Sequence, residues 1–296
     1  MNPAPIRTQM RVENISTQLT STGTAFENPP IYLWSVFFKI DGSTAQINAT
    51  SLTSGTLQGT ATVVPTPGNQ GDLPGGVQAS FYLVETTAIP STLGAYATTL
   101  VPFPISGLSG VTLGGMVIGW LGILLYQEDT PADDIAAGHQ ALNSAVQQAL
   151  DNVIPTISSS SPMITPADIA NATSQVRSQV IGAIINALSI WNKLATVLNT
   201  EFQDAYVGTA IQYFTDSQLL GSPVQGLPIN AQIVWGGKDD PNLYTFTFNG
   251  TVLANAPPYS LRRVLTGLGH APPASLRAVM GAPIKPSLLA WIEAVT

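Results

Sequence analysis

Hydrophobic and polar positions change period along the chain, and the changes divide it into stretches. Over residues 5–126 short β-branched and aromatic runs are separated by turn clusters, which predicts strands over Gln9–Gln18, Ile31–Ile40, Ala61–Val64, Val77–Val84 and Val111–Tyr126. Asp41-Gly42, Pro65-Thr-Pro-Gly68 and Leu73-Pro-Gly-Gly76 supply the turn residues between them. In the run YLWSVFFKI, alternation places Tyr32, Trp34, Val36 and Phe38 on a core face. The other face, Leu33, Ser35 and Phe37, is interrupted by a hydroxyl and is either covered as well or binds a partner.

From Thr130 the period becomes helical. Thr130-Pro-Ala-Asp133 is an N-terminal capping sequence, after which Ile135, His139, Leu142, Val146 and Leu150 recur at three- and four-residue steps. The same signal at Thr165-Pro-Ala-Asp168 opens a longer pattern from Ile169 to Phe202, which as a helix would be roughly 50 Å long at 1.5 Å per residue. Its opposite face is rich in Asn, Ser and Gln and almost without charge, where a solvated helix carries Lys and Glu. That face is expected to be covered, by this chain or by a neighbouring subunit, with Gln175, Gln179 and Asn186 as contact candidates.

Beyond Gly221, Ala231–Trp235 and Tyr244–Val252 read as a β-hairpin, with Tyr244, Phe246 and Phe248 in strict alternation. The tail repeats a Ser-Leu unit at Ser260, Ser275 and Ser287, each preceded by prolines, which predicts three short helices that must dock on something. Arg262, Arg263, Arg277 and Trp291 are their docking candidates. The expected class is therefore α+β: an antiparallel β-sandwich-like region at residues 1–129, then long amphipathic helices over 130–220, a hairpin returning to the sheet at 221–256, and a Pro-rich helical tail at 257–296.

Composition alters this picture in one respect. Apolar residues reach an ordinary 45%, but charged residues are only 9%, against the roughly 25% of an average soluble protein. Uncharged polar groups are easier to desolvate than ions, so such surfaces suit contact with another surface. The net charge of −7 is uneven, with residues 127–220 acidic and residues 221–296 basic, and the ten basic residues form no run that would neutralise phosphates. Nucleic acid is not an expected partner. Without cysteine there are no disulfides or thiolate sites. The N-terminus lacks the apolar segment of a secretory signal, so the expected location is cytoplasmic, or outside the cell by a route that needs no such signal.

Candidate chemistry is sparse. Residues 86–127 contain no charged residue or histidine, and Gly107–Tyr126 is long enough to span a bilayer as a helix. Gly110, Gly114, Gly115 and Gly119 carry the small-residue spacing of associating membrane helices, with Trp120 beside them. A buried strand explains the same segment, and the missing basic flanks favour it. The cluster Glu128, Asp129, Asp133 and Asp134 offers oxygen ligands to Ca²⁺ without the spacing of a calcium loop, and helix capping accounts for it with fewer assumptions. His139 lies on an apolar helix stripe and His270 in a loop, in no arrangement characteristic of catalysis. The sequence thus favours a non-enzymatic, self-associating interaction protein with protein partners or copies of itself. Two alternatives stand beside it: a membrane-active, pore-forming protein, and a hydrolase or metal-dependent enzyme using His139 or His270.

Overall fold

The structure, a computed structural model, describes residues 3–20, 31–51, 54–67, 72–73, 77–78, 80–81, 86–126, 132–156, 158–160, 205–221, 226–236 and 243–255. The described fold is mostly β, in antiparallel sheets, and this overturns the α+β expectation of a sandwich followed by long amphipathic helices. The described helices are α1 (Ser91–Gly94), α2 (Ala132–Val153) and α3 (Asp216–Leu220). Of these α2 is the helix that the capping sequence at Thr130 predicts. Ala205–Thr215, inside the stretch expected to be helical, is a strand paired along its length with Val117–Tyr126. Its β-branched and aromatic residues find more apolar surface at the edge of an existing sheet than a short helix could offer. The pattern at 168–202 and the tail at 257–296 lie outside the described residues.

Three sheets carry the fold. The first contains β1 (Ile6–Thr20), β9 (Thr86–Ala88), β10 (Ala95–Leu100), β16 (Leu227–Gly236) and β17 (Leu243–Asn255), in the order β10-β1-β17-β16 with β9 also on β1. The second contains β2 (Ile31–Ile40), β5 (Thr62–Pro65), β8 (Ser80–Phe81), β13 (Val117–Tyr126) and β15 (Ala205–Thr215), in the order β15-β13-β2-β5 with β8 also on β2. The third contains β3 (Ala45–Ser51), β4 (Ser54–Gly59), β11 (Phe103–Ile105), β12 (Leu108–Leu113) and β14 (Ser158–Ser160), in the order β12-β11-β3-β4-β14. In it β11 meets β3 in parallel at Ile105 and Ile47. A short ribbon, β6 (Asp72–Leu73) with β7 (Val77–Gln78), stands apart from them.

The first two sheets pack face to face. Inward rows Met10 and Ile15 of β1, with Phe246, Phe248 and Val252 of β17, meet Phe37 of β2 and Trp120 of β13. Trp120 lies 4.9 Å from Phe248 and Phe37 5.5 Å from Tyr96, measured between ring centroids. Rings of this size bury roughly 150–250 Å² each, about 4–6 kcal/mol of transfer free energy at ~25 cal/mol/Å² before ordering entropy is subtracted. All ten residues of β2 are buried, so both of its faces are covered. Ser35, the hydroxyl that interrupts the second face, accepts a hydrogen bond from the Trp120 indole Nε1 and lets that ring be buried without an orphaned N–H.

Glycines of β13 make room for rings. A Cβ on Gly119 would stand 2.2 Å from Phe38 Cζ, and one on Gly122 2.4 Å from Trp120 Cζ2. The small-residue spacing therefore serves side chains of this sheet, and Val117–Tyr126 is a central strand rather than a helix.

Four passages of the chain between sheet three and the other two, β2–β3, β4–β5, β10–β11 and β12–β13, are each gripped by a carboxylate. At the β2–β3 crossing Asp41 is fully buried and accepts from Lys39 Nζ at 2.9 Å, from the Ser43 N–H at 3.1 Å and from the Ser43 hydroxyl. The same carboxylate accepts at 2.9 Å from the Val101 N–H, at the β10–β11 crossing. Lys39 also donates to the Thr99 carbonyl of β10, and the Gly42 N–H to the Val101 carbonyl. Gly42 comes so close that a Cβ would sit 2.0 Å from the Pro102 oxygen. At the β4–β5 crossing Asp151 of α2 takes the Ala61 N–H at 2.8 Å, and at the β12–β13 crossing Asp216 takes the Gly115 N–H at 2.7 Å.

Two outcomes are expected. Asp41→Ala leaves the Lys39 ammonium buried without its counterion and the Val101 N–H without its acceptor, and lowers unfolding stability in urea by about 3–5 kcal/mol. Gly119→Ala drives a methyl into Phe38 and costs about 1–3 kcal/mol, part of which Phe38→Leu in the same chain restores.

Candidate functional site

Strand alternation turns the outward rows of β1, β17 and β16 into one continuous surface, because β17 pairs with β1 on one side and β16 on the other. The middle of this face holds hydroxyl and amide groups: Asn14, Ser16, Thr245, Thr247, Asn249, Asn230 and Gln232, all half-buried or exposed. They are linked laterally across the three strands. Asn249 Nδ2 donates to Asn14 Oδ1 at 3.1 Å and to Ser16 Oγ at 3.4 Å, and Gln232 Nε2 donates to Thr247 Oγ1 at 3.3 Å. Among the described residues of this face, the charged ones, Arg7, Arg11 and Glu13, are exposed toward one end. At the other end Val234, 64% exposed, and Leu243, 50% exposed, form an apolar spot. Sequence reasoning missed this face. Its signal, Thr and Asn at alternate positions of Thr245–Thr251, reads in one strand only as the wet side of a hairpin.

A second polar feature lies under α2. The helix buries Leu142, Val146 and Leu150 toward the β2 face that carries Trp34, and His139 meets Trp34 edge-on with ring centroids 5.3 Å apart. Asn143 Nδ2 lies 3.3 Å from His139 Nδ1. Three of the four unpartnered buried side-chain polar atoms among the described residues gather here: Trp34 Nε1, His139 Nε2 and Asn143 Oδ1. Each such orphan costs about 1–3 kcal/mol, so their concentration in one place sets this spot apart from the rest of the core. Removal from water lowers the His139 pKa from 6.5 to about 4 and keeps the ring neutral.

The residues singled out from sequence scatter rather than converge. Trp120 is buried between the sheets, Gly119 lies under Phe38, Gly114 and Gly115 form the β12–β13 crossing, and Gly110 is exposed on β12. Asp133 and Asp134 lie in the first turn of α2. Glu128, Asp129, Gln175, Gln179, Asn186, Arg262, Arg263, His270, Arg277 and Trp291 lie outside the described residues. Among the described residues there is no group of three or more His, Asp or Glu side chains able to hold a metal ion, and no helix long and apolar enough to cross a membrane.

The buried histidine gives stability a pH dependence of known sign. Between pH 6.5 and about 4 the unfolded chain binds the His139 proton more readily than the folded chain does. The stability due to this group is therefore complete above 6.5 and is lost as pH falls toward 4, by about 3 kcal/mol in all. Urea titrations at several pH values should show that arm in the wild type and a flatter one in His139→Gln. No family model, curated protein or solved structure matches the chain.

Proposed function

We propose that this is a non-enzymatic interaction protein that associates with a second copy of itself through the uncharged outer face of β1, β17 and β16. The observation that carries the reading is the laterally bonded array around Asn249, Asn14, Ser16, Gln232 and Thr247. Amide and hydroxyl groups offer donors and acceptors together, so a face built from them is complementary to its own copy about a two-fold axis. Its desolvation is inexpensive because no ion has to be stripped of water in the middle of the patch. Val234 and Leu243 add exposed apolar area at one end of the face. Three strands about 4.8 Å apart and about ten residues long present roughly 490 Å² in projection, about three-fifths of the roughly 800 Å² per partner of a standard interface.

Burial of Val117–Leu125 inside the layers supports this reading over membrane insertion, since insertion would have to pull the central strand out of its sheet.

Light scattering behind size-exclusion chromatography at micromolar concentration should give a dimer. Thr247→Lys combined with Asn249→Lys should return it to a monomer with its unfolding midpoint within a few tenths of a kcal/mol of wild type. A wild-type chain that is monomeric up to about 100 μM, a concentration at which even weak specific contacts form, would sink the proposal.

A further inference from the structure

Beside α2 a groove of about 510 Å³ opens along the short strand β5, which ends the order of the second sheet. Val63 and Pro65 line it from the strand, Gln147 and Asp151 from the helix. Which backbone groups face it follows from the pairing of β5 with β2. Hydrogen-bonded and non-bonded pairs alternate along an antiparallel ladder. Pro65 has no N–H to give, so its pair with Val36 is non-bonded, and so is the pair of Val63 with Phe38 two positions along. Thr62 and Val64 therefore carry the bonds to Lys39 and Phe37, and Val63 turns its N–H and C=O away from β2. Ala61, just before the strand and at the same parity, marks the direction: its N–H meets Asp151 Oδ1 at 2.8 Å and its C=O accepts from Gln147 Nε2 at 2.8 Å. The outward side of the edge is thus the groove side.

At Ala61 the two side chains of α2 close the edge as a neighbouring strand would, with one acceptor and one donor. At Val63 nothing does. Among the described residues no backbone group meets its outward N–H or C=O, and Pro65 beside it is exposed. The outward N–H and C=O of one residue form a complete hydrogen-bonded pair with one residue of another antiparallel strand. Sheet edges of this kind take up extended peptides, with main-chain bonds for affinity and alternate side chains for specificity. The charge of the groove narrows the choice of peptide. Asp151 is the one ion lining it, no basic side chain pairs with that carboxylate among the described residues, and it receives three hydrogen bonds where a carboxylate accepts about four.

We infer that the edge of β5 beside α2 binds an extended segment of a partner protein as an added antiparallel strand, and that this segment carries Arg or Lys two residues beyond the one opposite Val63. Residues opposite each other in an antiparallel pair share a face. The residue opposite Val63 therefore stands over the groove, the next points away, and the one after it comes opposite Ala61, beside Asp151. The surface belongs to the second sheet and is separate from the outer face of the first, through which the chain meets its own copy.

The test uses the full chain and reads the amide shift and hydrogen exchange of Val63. The probe is acetyl-Thr-Thr-Val-Thr-Arg-Thr-amide, whose Val takes the place opposite Val63. A saturable shift with a Kd of about 0.1–1 mM is expected, together with slowed exchange of the Val63 N–H. The same peptide with its Val N-methylated keeps every side chain but has no N–H for the Val63 carbonyl, and should bind more than tenfold more weakly. Glu in place of the peptide Arg should weaken binding about three- to tenfold. Val63→Pro removes the outward N–H and leaves the ladder to β2 intact, as Pro65 already does, and should cost more than tenfold in affinity. If that variant does not fold, the N-methylated peptide decides alone. No saturable response up to about 10 mM, equal binding by the N-methylated or the Glu peptide, or a Val63 amide that exchanges freely in the bound state overturns the proposal. Protection of Val63 without peptide that grows with protein concentration overturns it too, since a second copy would then occupy the edge.

Discussion

The architecture depends on backbone N–H groups held by carboxylates where the chain passes from one sheet to another. Such crossings break the ladder of strand hydrogen bonds, and each leaves donors that must be satisfied inside the protein. Asp41, Asp151 and Asp216 satisfy them, at Ser43 and Val101, at Ala61 and at Gly115. A charged acceptor makes these bonds shorter and stronger than neutral ones. The crossings are thereby fixed in place, and the third sheet is tied to the first two at four points. Asp41 holds two of the four alone, with Lys39 beside it as the single ion pair among the described residues.

This use of charge makes a few ions serve the described fold. A conventional surface distributes Lys and Glu for solubility and leaves corners to turn residues. Among the described residues, Lys39, Asp41 and Asp216 are buried ions at the crossings, while hydroxyls and amides fill the middle of the β1, β17 and β16 face. The outer face of β1, β17 and β16 is where that policy is most visible, with its charge at one end and its apolar spot at the other. The layered interior fits the same logic: rings fill it, and glycines and one serine accommodate the rings. Trp120 needs Ser35 for its N–H and Gly122 for its plane, and Phe38 needs Gly119. The buried cluster of Trp34, His139 and Asn143 departs from this economy, since elsewhere in the core polar atoms are almost all paired.

Much of the strand order was legible. Ile31–Ile40 is read from its aromatic run without error in either bound, the hairpin from its alternating Tyr244, Phe246 and Phe248, and α2 from its capping sequence. The strands β3 and β4 were not, because the apolar side chains they are described as burying are only Ala45, Ile47 and Leu57, and they pair with each other. Ala205–Thr215 was hidden for a related reason: its partner β13 lies about ninety residues earlier, and nothing local announces that a strand there would find an edge.

By itself, then, the sequence determined the periodic elements, the absence of disulfides and the scarcity of charge, all properties carried by neighbours along the chain. Tertiary structure alone decided what the exceptional residues do. Whether Ser35 is a flaw in a core face or the partner of an indole, and whether Gly119 seats a helix or a ring, depends on a strand more than eighty residues away. The polar outer face likewise exists only once β1 and β17, at opposite ends of the described chain, lie side by side. Local pattern fixes which side of a strand is wet, but only pairing between distant strands can make a surface of it.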